Sequence, residues 1–268
     1  MKPRIPTQGD FKSSGLNARP KPRILAFDIE STPNLGWGYG KWQVNLIKIE
    51  RYSDMLSFSY RWIGESKTHH VSLRDHDFIE KDLALALHAL FDEADVVLAH
   101  NAYGFDNKIA RATWVRYGIA PPSPYKVIDT LRIARSQFKF PGGNSLNEVA
   151  IFLGLGRKAD VGIRDLWYDC YIENSGRAWR LLKKYNNMDV DLLVGVYEAM
   201  LPYISNHPNL AMLYRERGRC PKCLSDKLQA RGTSKRAAGE VQRYQCQACA
   251  GWCSQASVRH DGRVTNIS

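Results

Sequence analysis

The chain has 268 residues, 44% of them hydrophobic, with seven Trp and a formal charge of +11. That length and apolar content suit one packed domain with a smaller companion and exclude a disordered chain. No apolar run approaches the ~20 residues that span a bilayer, and the basic N-terminus lacks the apolar core of a secretory signal. A cytoplasmic protein with reduced thiols, away from membranes, is expected.

The charge is unevenly spread. Residues 1–23 carry six Lys/Arg against one Asp, and residues 211–268 carry eleven against four acids, while the stretch between is nearly balanced. Basic ends on a neutral body suit a polyanion, because neutralising phosphates releases counterions.

Residues 1–22, rich in Pro, Gly, Ser and Lys, read as a flexible basic arm. Ile24–Ile29 is an apolar run broken only by Asp28, which predicts a buried strand. Strands are also expected over Met55–Ile63 and Val71–Leu73. Leu83, Leu87, Leu90 and Phe91 form a helical stripe. A short strand, Val96–Ala99, hands over to a helix from about Phe105 to Tyr117. Tyr125–Asp129 is another strand, and Leu146, Val149, Ala150 and Leu153 mark a helix ended by glycine. A long helix from about Ser175 to Met200 stops at Pro202. Early strands followed by alternating helices and strands imply an α/β domain with a mixed sheet and packed helices, over residues 23–205. Residues 206–217 read as a connector and 218–268 as a separate small module.

Three clusters carry chemistry. Asp28 and Glu30 sit two apart on the first strand, so both carboxylates face the same side. Burying two like charges is costly, and a divalent cation relieves the cost. Asp106 follows His100-Asn101-Ala102-Tyr103-Gly104-Phe105 where a buried strand turns into a helix. In isolation it also serves as a helix-capping acid, and His100 reads better as a satisfied structural histidine than as a ligand. Tyr185 and Asp189 stand four apart on one face of the long helix; Asp191 points elsewhere.

Asp-x-Glu, then Asn-x-x-x-Phe-Asp, then Tyr-x-x-x-Asp in that order resembles the three exonuclease motifs of the DEDD superfamily. Lys184 stands where the histidine branch would carry His, so the resemblance is to the tyrosine (DEDDy) branch. That branch includes the proofreading domains of family A and B DNA polymerases and free-standing exonucleases, several of them encoded by bacteriophages. In the latter case the compartment is the host cytoplasm. The resemblance covers about residues 22–205 and implies a ribonuclease-H-like fold and 3′→5′ phosphodiester hydrolysis. It implies that Asp28, Glu30, Asp106 and Asp189 hold two Mg²⁺ or Mn²⁺, and that Tyr185 orients the attacking water. It also implies substrate contacts from Asn101, Phe105 and Leu146, with single-stranded 3′ ends of DNA as the expected partner. An exoribonuclease and a non-catalytic nucleic-acid-binding protein are the alternatives.

Cys220-Pro-Lys-Cys223 and Cys246-Gln-Ala-Cys249, 22 residues apart, form the pattern of a zinc ribbon holding one Zn²⁺. Cys253 is a competing fifth thiol, and Cys170 reads as an ordinary buried one. The module is basic and carries Tyr244 and Trp252, which suits nucleic-acid binding. Docking onto a replication or repair protein is the alternative.

Overall fold

The computed structural model describes residues 22–40, 45–158, 166–216, 218–236 and 239–254. All of the predicted N-terminal arm except Pro22 lies outside them. The first strand, β1 (Ile24–Ser31), is flanked by β4 (Met55–Trp62) and β6 (Val96–Ala99); β5 (His69–Ser72) and β7 (Lys126–Asp129) lie outermost. The order is β5-β4-β1-β6-β7, with β1 antiparallel to β4 and parallel to β6, and β6 parallel to β7. This is the expected α/β mixed sheet.

Strand alternation divides β1 between two cores. Leu25, Phe27 and Ile29 enter one; Ile24 and Ala26 enter the other. Against the first core pack α1 (Glu80–Glu93), α2 (Asp106–Arg116) and α5 (Leu166–Tyr171). On the second lie α3 (Thr130–Gln137), α4 (Leu146–Phe152) and the C-terminal half of α6 (Gly176–Met200). Ser175 caps α6 by accepting from the Ala178 N–H, and Pro202 falls in a short 3₁₀ turn that ends it.

Four features differ from the sequence reading. The third strand is His69–Ser72, not Val71–Leu73, because Leu73 opens a 3₁₀ turn capped by Ser72 and Asp75. Asp129 ends β7 and caps α3 at once, so no loop marks that helix. α5 is a third short element outside that reading. A two-stranded hairpin, β2 (Leu35–Trp37) with β3 (Lys48–Arg51), fills what reads as featureless chain.

The connector contains α7 (Leu210–Leu213), and beyond it β8 (Leu228–Arg236), β9 (Gly239–Cys246) and β10 (Trp252–Ser254) form a separate three-stranded sheet. Among the described residues no helix is long and apolar enough to cross a membrane.

Candidate metal centre and cysteine cluster

The side of β1 that buries Ile24 and Ala26 continues with Asp28 and Glu30. Opposite them in register on β4 stand Ser59 and Ser57, both fully buried. Small side chains there leave room for α6 against the sheet. Asn186 of α6 donates to Asp28 Oδ2 at 2.7 Å and to the Asp28 carbonyl at 3.3 Å. The Ser59 hydroxyl donates to Asn187 Oδ1 at 2.8 Å. These bonds fix α6 in rotation, and with it Asp189. Oxygens of Asp28, Glu30 and Asp189 then lie within 4.8 Å of one another.

Asp106 begins α2 and is buried beneath β1, where its Oδ1 accepts from the Ile29 N–H at 3.0 Å. It is near enough that its charge is the second cause, after burial, holding the Asp28 carboxyl well above its ordinary value. Burial and then Asp189 push Glu30 up to about 7. Burial pushes Asp106 to about 7 as well, against backbone hydrogen bonds that pull it down. Asp189 is raised by burial despite its cation. That cation is Lys158, in the chain after α4, whose Nζ lies 2.7 Å from Asp189 Oδ2 and 3.5 Å from the Tyr185 hydroxyl. Burial opposes the ammonium, yet Asp189, Tyr185 and Asp28 hold its pKa above the ordinary lysine value.

Among the described residues, four acids therefore share one ammonium, and Asp189 Oδ1 is buried with no hydrogen-bond partner. An acid excess around an orphaned oxygen fits the addition of divalent cations. The Tyr185 hydroxyl is kept protonated by burial and by Asp189, and so is a donor.

The other predicted residues fall as follows. Phe105 is exposed at the start of α2. Asn101 takes a left-handed backbone, φ 78°, and folds its side chain over Gly104, where a Cβ would stand 2.2 Å from Asn101 Oδ1. Asp129 holds this turn, accepting from the N–H groups of Asn101 (3.0 Å) and Tyr103 (3.1 Å). Leu146 packs in the second core and is only 6% exposed. His100 is a satisfied structural histidine, paired with the Thr130 hydroxyl at 2.9 Å and the Asn144 carbonyl at 3.0 Å. Asp191 turns away to Arg61 and Thr68.

A family model described as the RNase_H superfamily matches residues 25–201, about two thirds of the chain. The chain belongs to the RNase_H superfamily. Among solved structures it is similar to the family B DNA polymerase of the hyperthermophilic archaeon Pyrobaculum calidifontis. That match has 18% identity and a TM-score of 0.46, over 68% of this chain and 25% of the polymerase. The chain thus spans a quarter of that polymerase. No curated protein matches it.

The RNase_H match stops at residue 201, before the last five of the six cysteines. Cys220, Cys223, Cys246 and Cys249 nonetheless gather, with their sulfurs within 4.8 Å of one another. Cys220–Cys249 and Cys223–Cys246 are 3.7 and 3.6 Å apart. Four thiolates at ~2.3 Å from a tetrahedral Zn²⁺ would be about 3.8 Å apart, so the set fits that ion. Cys253, on β10, stays outside the four, and Cys170 is a buried thiol on α5. Between the first two cysteines Lys222 reaches back to the RNase_H body, donating to the carbonyls of Leu201 (3.1 Å) and Pro202 (2.7 Å) at the end of α6. Cations are favoured at such carbonyl ends.

Proposed function

We propose that this chain is a metal-dependent 3′→5′ exonuclease of the DEDDy branch that hydrolyses single-stranded 3′ ends of DNA. The observation that carries the reading is the meeting of Asp28, Glu30 and Asp189 within 4.8 Å, with Asp106 beneath them and Tyr185 on the turn before Asp189. Asp28, Glu30, Asp106 and Asp189 would hold two Mg²⁺ or Mn²⁺, hard ions suited to carboxylate oxygens. Such ions, when bound, supply an activated water and charge relief at the leaving oxygen.

The chain's own residues set the geometry. Asn186 holds the Asp28 carboxylate through its 2.7 Å hydrogen bond and so fixes its rotamer. Tyr185, protonated, offers its O–H to orient a water beside Asp189 and is too weak a base to take the proton itself. Lys158 brings a fixed positive charge beside Asp189, where a scissile phosphate would gather negative charge. Phe105, exposed where α2 begins, would meet a terminal base, and Asn101 would contribute through the turn it shapes with Gly104.

The cysteine cluster is a zinc ribbon in this reading. Its exposed Trp252, with Arg243 5.7 Å from the ring, suits contact with a nucleic-acid strand. Incubating the protein with 3′-labelled single- and double-stranded DNA and RNA, with Mg²⁺ or Mn²⁺, tests the function. Metal-dependent release of nucleoside 5′-monophosphates from the 3′ end of single-stranded DNA, lost in Asp28→Ala, is expected. Release that survives Asp28→Ala defeats the reading, and preferential release from RNA replaces it with an exoribonuclease.

A further inference from the structure

The β2–β3 hairpin belongs to neither core. It pairs only with itself, Leu35 opposite Arg51, Gly36 opposite Ile49 and Trp37 opposite Lys48. The pairing is tight enough that a Cβ on Gly36 would meet the Lys48 carbonyl oxygen at 2.2 Å. Trp37 is 64% exposed, Tyr39 98% and Tyr52 68%. Three aromatic rings thus stand exposed on or beside one short hairpin.

Its base, by contrast, is firmly fixed. Buried Thr32 exchanges hydrogen bonds with Asp54, both at 2.9 Å, and Asn34 Oδ1 accepts from the Ser53 N–H at 2.8 Å. Asp54 is in turn held by Arg116 at 2.7 Å and Tyr171 at 2.5 Å. The rings are therefore carried on a rigid stem. Trp37 donates its indole N–H to Glu50 at 2.5 Å, which sets the ring and engages the hairpin's acid. Of the exposed cations of β3, Lys48 stands opposite Trp37 and Arg51 directly precedes Tyr52.

The hairpin also connects to the carboxylates. It leaves β1 five residues after Glu30, a chain path of at most about 17 Å. Trp167 of α5 lies beside Glu30, where it favours the ionised carboxylate. One turn on, Tyr171 lies under Arg51, 5.0 Å from its ring.

We propose that the hairpin is a stacking platform for an unpaired nucleic-acid strand running toward the carboxylate cluster; the choice of nucleic acid rests on the exonuclease reading. Separate exposed rings with a cation beside them suit successive bases and phosphates, since every base offers a π-face and stacking needs no sequence. A second copy of the chain is a poorer occupant. Stable protein interfaces take about 20–30 residues a side, far more than this hairpin presents.

The test is the anisotropy of a 5′-labelled oligothymidylate with the full chain, without added magnesium or manganese so that nothing is hydrolysed. Replacing Trp37, Tyr39 and Tyr52 together by Ala should weaken binding about 10–100-fold. Trp37→Phe, which keeps a ring, should stay within about threefold of wild type. Tyr39→Ala alone, at a side chain with almost no contacts to lose, should weaken binding about fivefold with an unchanged melting curve. Equal binding by Tyr39→Ala and by a triple variant that melts normally overturns the proposal. So does a dimer that the triple variant converts to monomer at undiminished oligonucleotide affinity. Nucleotide release by the wild type is scored separately with Mn²⁺. Release with no hairpin effect on affinity removes this inference alone, and a hairpin effect without release removes the exonuclease reading alone.

Discussion

The protein has two clusters of side chains that could hold a metal, and they stand in opposite relation to the fold. The carboxylate cluster is laid on a five-stranded sheet whose two faces are already filled, one by Phe27, Phe58 and Phe91 and the other by Val190, Val196 and Tyr197. There the fold pays to hold like charges together, and a metal would relieve a strain that the cores sustain. The cysteine module has almost no core: Cys220, Val241, Cys246, Gly251 and Ser254 are its buried positions among those described. There the metal would supply the fold itself. The difference teaches that one chelation experiment should have two outcomes in one chain.

The largest expected effect breaks the carboxylate side alone. Asp28→Ala should lower nucleotide release by about 10³-fold or more. It should leave the melting temperature of the RNase_H body unchanged or higher, because a buried like charge is removed. A matching drop in melting temperature would mean that Asp28 is structural and that the contrast between the sites is false.

Cys246→Ser tests the other side. Zinc content by elemental analysis should fall from about one per chain to near zero, and trypsin should then cut within residues 218–254 while the body resists. Binding free energies of about 10–16 kcal/mol for structural Zn²⁺ in small modules set the scale of that loss. Because Lys222 grips the end of α6 from between two of the cysteines, the body should lose only the modest gain of a helix-end cation, about 1 kcal/mol. Collapse of the whole chain on zinc removal would instead make the two sites one cooperative unit.

Two smaller effects sharpen the carboxylate side. Lys158→Ala should lower kcat about 10–100-fold with little change in KM, by removing a charge that acts on the reacting phosphate. A pure KM effect would place the ammonium in ground-state binding. Asn186→Leu removes the 2.7 Å bond to Asp28 and should cost about tenfold in apparent Mn²⁺ affinity, read as a shifted metal titration of activity.

The sequence revealed these two sites unequally well. β1, β4, β6, α2 and α6 lie within about two residues of where periodicity and caps place them, because each buries a long apolar stripe. The carboxylates were legible through their motif order, and the four cysteines through spacing alone. Lys158 and Asn186 were not. Lys158 follows a glycine-ended helix with no pattern around it, and its partner Asp189 is 31 residues away. Asn186 meets Asp28 across 158 residues, a pairing that only the sheet and α6 together create. The hairpin was hidden because Gly36, Gly38 and Gly40 break any apolar period, although Gly36 is what lets its strands approach.

The smallest predicted effect depends on pH and asks whether the carboxylates repel one another as strongly as their burial implies. Glu30 and Asp106 are each raised to about 7, above unfolded values near 4. Their contribution to stability is therefore fully present below about pH 4 and lost as pH rises through about 7. Partly buried His70, His100 and His207 are lowered to about 4 by desolvation. They work the other way, since their stabilising neutral form is present above about pH 6.5 and lost as pH falls toward 4. The two sets overlap in one window, so a melting temperature measured without metal mixes them. The difference between melts with and without Mn²⁺ separates them, because only the carboxylates take the ion and only when deprotonated. That difference should be near zero at pH 5 and grow through pH 7, reaching several degrees at pH 8. Each kcal/mol moves the midpoint by about 2–4 °C for a domain of this size. The increment should vanish in Asp28→Ala and persist in Cys246→Ser. A metal-induced shift that is flat from pH 5 to 8 would show that the acids are ionised throughout, and that the strain assigned to the first site is not there.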